Sequence, residues 1–258
     1  MRIMLTNDDG YFAAGLRALY QELSKENKHE ITIVAPAGQR SATGRSITIH
    51  EPLFVTKYEL RQNVYGFAVD GTPTDCVKLA LQGDLFSQKP ELLISGINYG
   101  WNLGSDVFYS GTVAAAMEGV LLGVPSIAVS LAQSEMVDYT EPAGLIREWI
   151  GQEEFLQNCR ASLLNINFPG SHQEDWKGMK ITKLGKTIYD NKFECQESAF
   201  GPVYYWTSGS IISQDDPDTD LMAIKDGYVS ITPLHSDLTD DEQIKVLSEW
   251  SRRERSNE

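Results

Sequence analysis

Short apolar runs alternate with helical periodicity through the first half of the chain. Residues 3–6, 31–35, 92–95 and 126–130 are brief hydrophobic stretches rich in β-formers, and Pro36 closes the second. Between the first two, Leu16, Leu19, Tyr20 and Leu23 recur at the spacing of one helix face. Further helical segments are expected at about 74–82 and 111–122. Near-continuous apolar strands that alternate with helices need both sheet faces covered. The expectation is an α/β fold, a doubly wound (Rossmann-like) parallel sheet with helices on both faces. No repeat period is visible, so solenoids and propellers are set aside.

The texture changes after about residue 170. Residues 180–189 and 203–212 are rich in β-formers and aromatics, among them Tyr204, Tyr205 and Trp206. They read as two sides of a C-terminal β-hairpin arm within about 176–222. An acidic turn, Asp215-Asp216-Pro217-Asp218-Thr219-Asp220, follows. Residues 228–232 read as a strand of the main body. Residues 238–255 read as a terminal helix, capped by Thr239 or Asp240. The whole chain, 1–258, is thus expected to be one domain. Its aromatic arm suits burial against another subunit, the alternative being that it folds back on its own domain.

Composition narrows the function classes. Hydrophobic residues make up 41% and charged residues 22% of the 258 positions, ordinary for a globular protein. No apolar run approaches the ~20 residues that cross a bilayer, and the first residues lack a basic leader, so a cytoplasmic protein without a membrane partner is expected. Three scattered cysteines argue for reduced thiols over a disulfide framework or structural zinc. A net charge of −14 disfavours long nucleic acid as a partner. It leaves room for a small anion, because a bound dication reverses the local field.

In a doubly wound sheet, ligands sit outside the carboxyl ends of the strands. Three polar clusters fall there: Asn7-Asp8-Asp9-Gly10, Gln39-Arg40-Ser41-Ala42-Thr43-Gly44 and Ser95-Gly96-Ile97-Asn98. The first alone is an unremarkable β-turn. With the other two it becomes a candidate metal site, since adjacent carboxylates repel unless a cation lies between them. Oxygen-only ligands select a hard ion, Mg²⁺ or Mn²⁺, over zinc. A fourth cluster, Tyr109-Ser110-Gly111-Thr112, opens a small-residue helix whose free N–H groups suit phosphate, although Ser or Thr there is also a simple cap. Gly71-Thr72-Pro73-Thr74-Asp75 opens another helix and either lines the pocket or only caps. There is no Walker loop, no H-E-x-x-H, no dinucleotide fingerprint and no serine-hydrolase elbow, and none of the four histidines lies in a motif.

In this order the clusters resemble the SurE (survival protein E) family. The match extends through Val34-Ala35-Pro36, Gly71-Thr72-Pro73-Thr74-Asp75-Cys76-Val77-Lys78 and Gly227-Tyr228-Val229-Ser230-Ile231-Thr232-Pro233-Leu234. The resemblance implies a 5′-nucleotidase that releases phosphate from nucleoside monophosphates with relaxed specificity, with cleavage of 3′-nucleotides and short polyphosphate left open. It implies one divalent ion per subunit held by Asp8, Asp9, Ser41 and Asn98, and a homodimer or homotetramer whose subunits exchange the arm and terminal helix. Asp8 and Asp9 would be the catalytic pair, and Asn102, Ser110, Gly111 and Thr112 would hold the phosphoryl group. Water activated by the ion is the expected nucleophile, with attack by Asp8 as the competing route. A metal-dependent nucleotide-binding or assembly protein without turnover is the alternative function.

Overall fold

Strand β1 (Arg2–Thr6) shows why the sheet is covered on both sides. Ile3 and Leu5 enter one hydrophobic cluster and Met4 enters another, as the two-residue side-chain period of a strand requires. The first cluster packs α1 (Ala14–Ser24), α4 (Thr140–Ile150) and α5 (Glu153–Ala161) on one face. The second packs α2 (Pro73–Gln82) and α3 (Gly111–Leu121) on the other. The computed structural model describes residues 1–61, 64–83, 85–86, 88–133, 138–170, 172–186, 190, 192–197, 201–208 and 216–255.

The remaining strands are β2 (Glu30–Pro36), β3 (Val55–Arg61), β4 (Val64–Val69), β5 (Leu92–Tyr99), β6 (Ser126–Leu131), β7 (Leu163–Phe168), β8 (Met179–Ile181) and β11 (Val229–Leu234). With β1 they form one sheet among the described residues, in the order β3-β4-β2-β1-β5-β6-β7-β11-β8. Neighbours are parallel except β3 with β4 and β11 with β7. The chain runs outward from β1 to β2 on one side, then returns to β5 on the other. The switch point between β1 and β5 is where such a sheet opens a crevice at its carboxyl edge.

Two helix starts have clear causes. Thr72 caps α2 by accepting from the Asp75 N–H, and the Asp75 carboxylate accepts from the Thr72 N–H, a reciprocal box followed by Pro73. The Gly71–Asp75 motif thus works as a cap. At the other end of the chain, α7 (Asp241–Arg255) starts after Asp240, whose carboxylate accepts from the Gln243 N–H at 2.8 Å.

The C-terminal third departs from the sequence expectation in its boundaries. Strand β10 (Val203–Ser208) pairs antiparallel with β9 (Lys192–Glu197), not with the 180–189 segment. Met179–Ile181 instead forms the edge strand β8, parallel to β11. High β-propensity marks a strand without saying which sheet takes it. Helix α6 (Asp220–Lys225) also packs on the main body, against β11 and β7. Thr187–Tyr189, Gly209–Ile212 and Asp215, parts of the expected arm and acidic turn, lie outside the described residues.

Candidate active site

The crevice at the switch point begins where β1 stops. Asn7 clamps the turn by donating to the Gly10 carbonyl at 3.0 Å and accepting from the Gly10 N–H at 3.2 Å. Gly10 has φ +104°, and a Cβ there would lie 3.1 Å from the Gly38 carbonyl carbon. A side chain is therefore disfavoured twice, by the strained conformation and by the tight approach of the loop after β2. The turn sends Asp8 and Asp9 to different anchors. Asp8 is buried and its Oδ1 accepts from the Thr112 hydroxyl at 2.5 Å. Asp9 Oδ2 accepts from the Tyr99 N–H at 3.1 Å, at the end of β5.

Helix α3 meets this turn head on. A Cβ on Gly111 would lie 2.8 Å from Asp8 Cβ and 3.0 Å from Asp8 Oδ2, so only glycine permits the approach. Ser110 caps the helix by accepting from the Val113 N–H at 3.1 Å. The loop after β2 is fixed by the Arg40 N–H, which donates to the Asp8 carbonyl at 2.7 Å, and by the Gly44 N–H, which donates to the Tyr109 carbonyl at 2.9 Å.

These pieces surround a cavity of about 550 Å³, within the ordinary range for small-ligand sites. Asp8, Ser41, Asn98, Asn102 and Ser110 line it together. Asn98 donates from Nδ2 to the Gly100 carbonyl at 2.9 Å, which leaves its Oδ1 as an acceptor. Of the other sequence-predicted residues, Asp9 lies beside the cavity with its carboxylate on Tyr99. Gly111 and Thr112 sit behind Asp8, with Thr112 fully buried and its hydroxyl spent on the carboxylate.

The electrostatics are those of a site short of positive charge. Burial, with Asp9's charge adding to it, pushes Asp8 up to about 6 against the opposing Thr112 hydrogen bond. Burial also raises Asp9, opposed by the Tyr99 N–H. Among the described residues neither carboxylate pairs with Lys, Arg or His. Nor does any cluster of three His, Cys, Asp or Glu residues form among them. The donor set is therefore two carboxylates completed by neutral oxygens, which fits a hard divalent cation and not zinc.

Comparison with known proteins gives the family that carries this fold. The model of the family described as "Survival protein SurE" matches residues 3–191. The chain belongs to the SurE family. A relative named 5′-nucleotidase SurE, from Desulfitobacterium hafniense (strain Y51), is 52% identical over 257 residues, covering 100% of both chains. Another of that name, from Pelotomaculum thermopropionicum, is 49% identical over 243 residues, 93% of this chain and 91% of its own. The crystal structure of the SurE protein from Aquifex aeolicus superposes with a TM-score of 0.82 at 36% identity, covering 97% of this chain and 100% of that one.

SurE membership leaves several supporting residues that the motifs do not reveal. Asn102 is gripped from below: its N–H donates to Asn167 Oδ1 at 2.9 Å, its Nδ2 to Ser130 at 2.7 Å, and its carbonyl accepts from Asn165 at 2.8 Å. Asp220 accepts from the Gly104 and Gly185 N–H groups at 2.8 Å each, fixing the start of the 3-10 helix Gly104–Phe108. The sequence signal for Asn165 and Asn167 was available. Two asparagines at period two inside the apolar run Leu163–Phe168 are fully buried amides that must find partners.

Proposed function

We infer that this chain is a 5′-nucleotidase, a phosphoric monoester hydrolase that splits nucleoside 5′-monophosphates into nucleoside and phosphate. The observation that carries the reading is the turn at the switch point, where buried Asp8 and half-buried Asp9 pair with no Lys, Arg or His among the described residues, and Asp8 opens on a cavity with Ser41 and Asn98. Asp8, Asp9, Ser41 Oγ and Asn98 Oδ1 would hold one divalent cation, Mg²⁺ or Mn²⁺. When bound, such an ion polarises a phosphoryl oxygen and acidifies water.

The chain's own residues supply position. Thr112 and Gly111 lock the Asp8 side chain, which disfavours it as a nucleophile that must swing toward phosphorus and favours water. Asn102 and Ser110, with the N–H groups at the start of α3, orient the phosphoryl group for in-line attack. Asn102 needs no reorganisation because β6 and β7 already hold it.

Phosphate release from AMP and GMP by metal-stripped protein tests the assignment. Release should require added Mn²⁺ or Mg²⁺ and should vanish in Asp8→Asn and Asp9→Asn. Undiminished turnover in excess EDTA, or in either variant, refutes it. Binding of AMP without turnover would establish the non-catalytic alternative.

The assembly is proposed to be a homo-oligomer. Ile244, Leu247 and Trp250 of α7, and Phe193, Tyr205 and Trp206 of the hairpin, are exposed apolar groups that a second copy would cover. Light scattering should give a dimer or tetramer mass, and a monomer at micromolar concentration refutes this. A cytoplasmic location is proposed on the three free cysteines. No helix among the described residues is long and apolar enough to cross a membrane.

A further inference from the structure

Three large aromatic side chains line the cavity: Tyr109 directly precedes the Ser110 cap, whereas Tyr99 and Trp101 stand at the end of β5 for no reason the phosphoryl chemistry supplies. Tyr99 is 46% exposed and Trp101 is 39% exposed, and both line the cavity that contains Asp8 and Asn98. A half-exposed tryptophan on a loose loop would mean little. This one is carried on backbone held at four points. The Tyr99 N–H donates to Asp9 Oδ2 at 3.1 Å, the Gly100 N–H to the Leu131 carbonyl at 2.8 Å, Asn98 Nδ2 to the Gly100 carbonyl at 2.9 Å, and the Asn102 N–H to Asn167 Oδ1 at 2.9 Å. Gly100 has φ +118°, which makes the bend between the two aromatics possible.

We infer that Trp101, with Tyr99 beside it, is the surface on which the substrate's nucleobase stacks. The inference rests on the nucleotidase reading and names what recognises the nucleoside half. The polar wall of Asp8, Ser41, Asn98 and Ser110 suits a phosphate and offers little to a flat heteroaromatic ring. A rigid indole meets that need, because every base has a π-face and an aromatic with two χ angles loses little entropy on binding. Gln133 also lines the cavity, and a Cβ on Gly100 would lie 3.3 Å from its Nε2, so its amide lies over the same turn. An amide offers both donor and acceptor to a base edge. Stacking plus an ambivalent amide selects for the presence of a base and tolerates its identity.

The test compares AMP with ribose 5-phosphate, the same ester without a base, in wild type, Trp101→Ala, Trp101→Phe and Tyr99→Ala, all with Mn²⁺. In Trp101→Ala the ratio of kcat/KM for AMP to that for ribose 5-phosphate should fall about tenfold, mainly through KM for AMP, within the usual range for base–aromatic stacking. Trp101→Phe should stay within about threefold of wild type and Tyr99→Ala should fall between the two, as a smaller or flanking ring face predicts. Equal loss on both esters, or no change in the ratio, overturns the inference. If wild type hydrolyses neither ester, the nucleotidase reading fails on its own. AMP affinity measured by calorimetry with Mn²⁺ then decides the stacking claim, and equal affinity of wild type and Trp101→Ala overturns it.

Discussion

Substituting Gly111 with alanine isolates the close approach between α3 and the catalytic turn. The added Cβ would lie 2.8 Å from Asp8 Cβ, 3.0 Å from Asp8 Oδ2 and 3.1 Å from Pro73 Cγ. Carbon pairs prefer about 3.5–4.0 Å, so something must move by roughly 0.7 Å. Asp8 cannot yield easily, since Thr112 holds its carboxylate and Arg40 its carbonyl. Pro73 closes the other side at the first turn of α2. Overpacking of this kind costs about 1–3 kcal/mol, of which up to about 1 is returned by alanine's helix propensity. A melting temperature lower by a few degrees is expected. The effect on rate should be larger, because displacement on the 1 Å scale costs about 10²-fold. The assay is kcat/KM for AMP at saturating Mn²⁺, measured well below the melting temperature. Gly38→Ala is the control, for its Cβ would have no atom within 4 Å. Wild-type rate and melting temperature in Gly111→Ala would refute the claim that α3 sets the position of Asp8.

Other perturbations follow from the same geometry. In metal-free protein Asp8 is raised from 3.8 to about 6, so the folded state holds its proton more tightly than the unfolded chain. Its contribution to stability is full below about pH 4 and falls by up to about 3 kcal/mol as pH rises through 6. Asp8→Asn should therefore raise the metal-free melting temperature at pH 7.5, and an unchanged or lower value contradicts the burial argument. Gly15→Ala would place a Cβ 2.0 Å from the Ile97 carbonyl oxygen, a backbone clash that α1 relieves only by lifting from β5. Calorimetry should show a loss of several kcal/mol, in the upper range for single substitutions. Gly144→Ala, inside α4 with nothing within 4 Å, should instead gain about 0.5–1 kcal/mol in the same experiment.

The parallel half of the fold was legible because β1, β2, β5 and β6 are buried on both faces and the first three of these runs end in polar clusters. The antiparallel pair β3 and β4 was not legible, since the exposed Lys57 and Glu59 interrupt the apolar pattern of an edge strand. Strand β7 was hidden by Asn165 and Asn167, which break the apolar pattern so that Asn102 can be held. Within the site, Asp8, Ser41, Asn98 and Ser110 were named from motifs and share one cavity with Asn102. The position of Thr112 beneath Asp8 was not readable. A threonine at a helix start reads equally as a cap, a ligand contact or a buttress, and only contact across more than a hundred residues separates these.

The proposed chemistry needs a single cation site made by four oxygen donors from three loops. Titration of metal-stripped protein with Mn²⁺, followed by electron paramagnetic resonance of the free ion, tests it most directly. One ion should bind per chain in wild type, weakly or not at all in Asp8→Asn, and with reduced affinity in Asn98→Ala. Full binding by Asp8→Asn, or no binding by wild type, would contradict the assignment of residues 8, 9, 41 and 98.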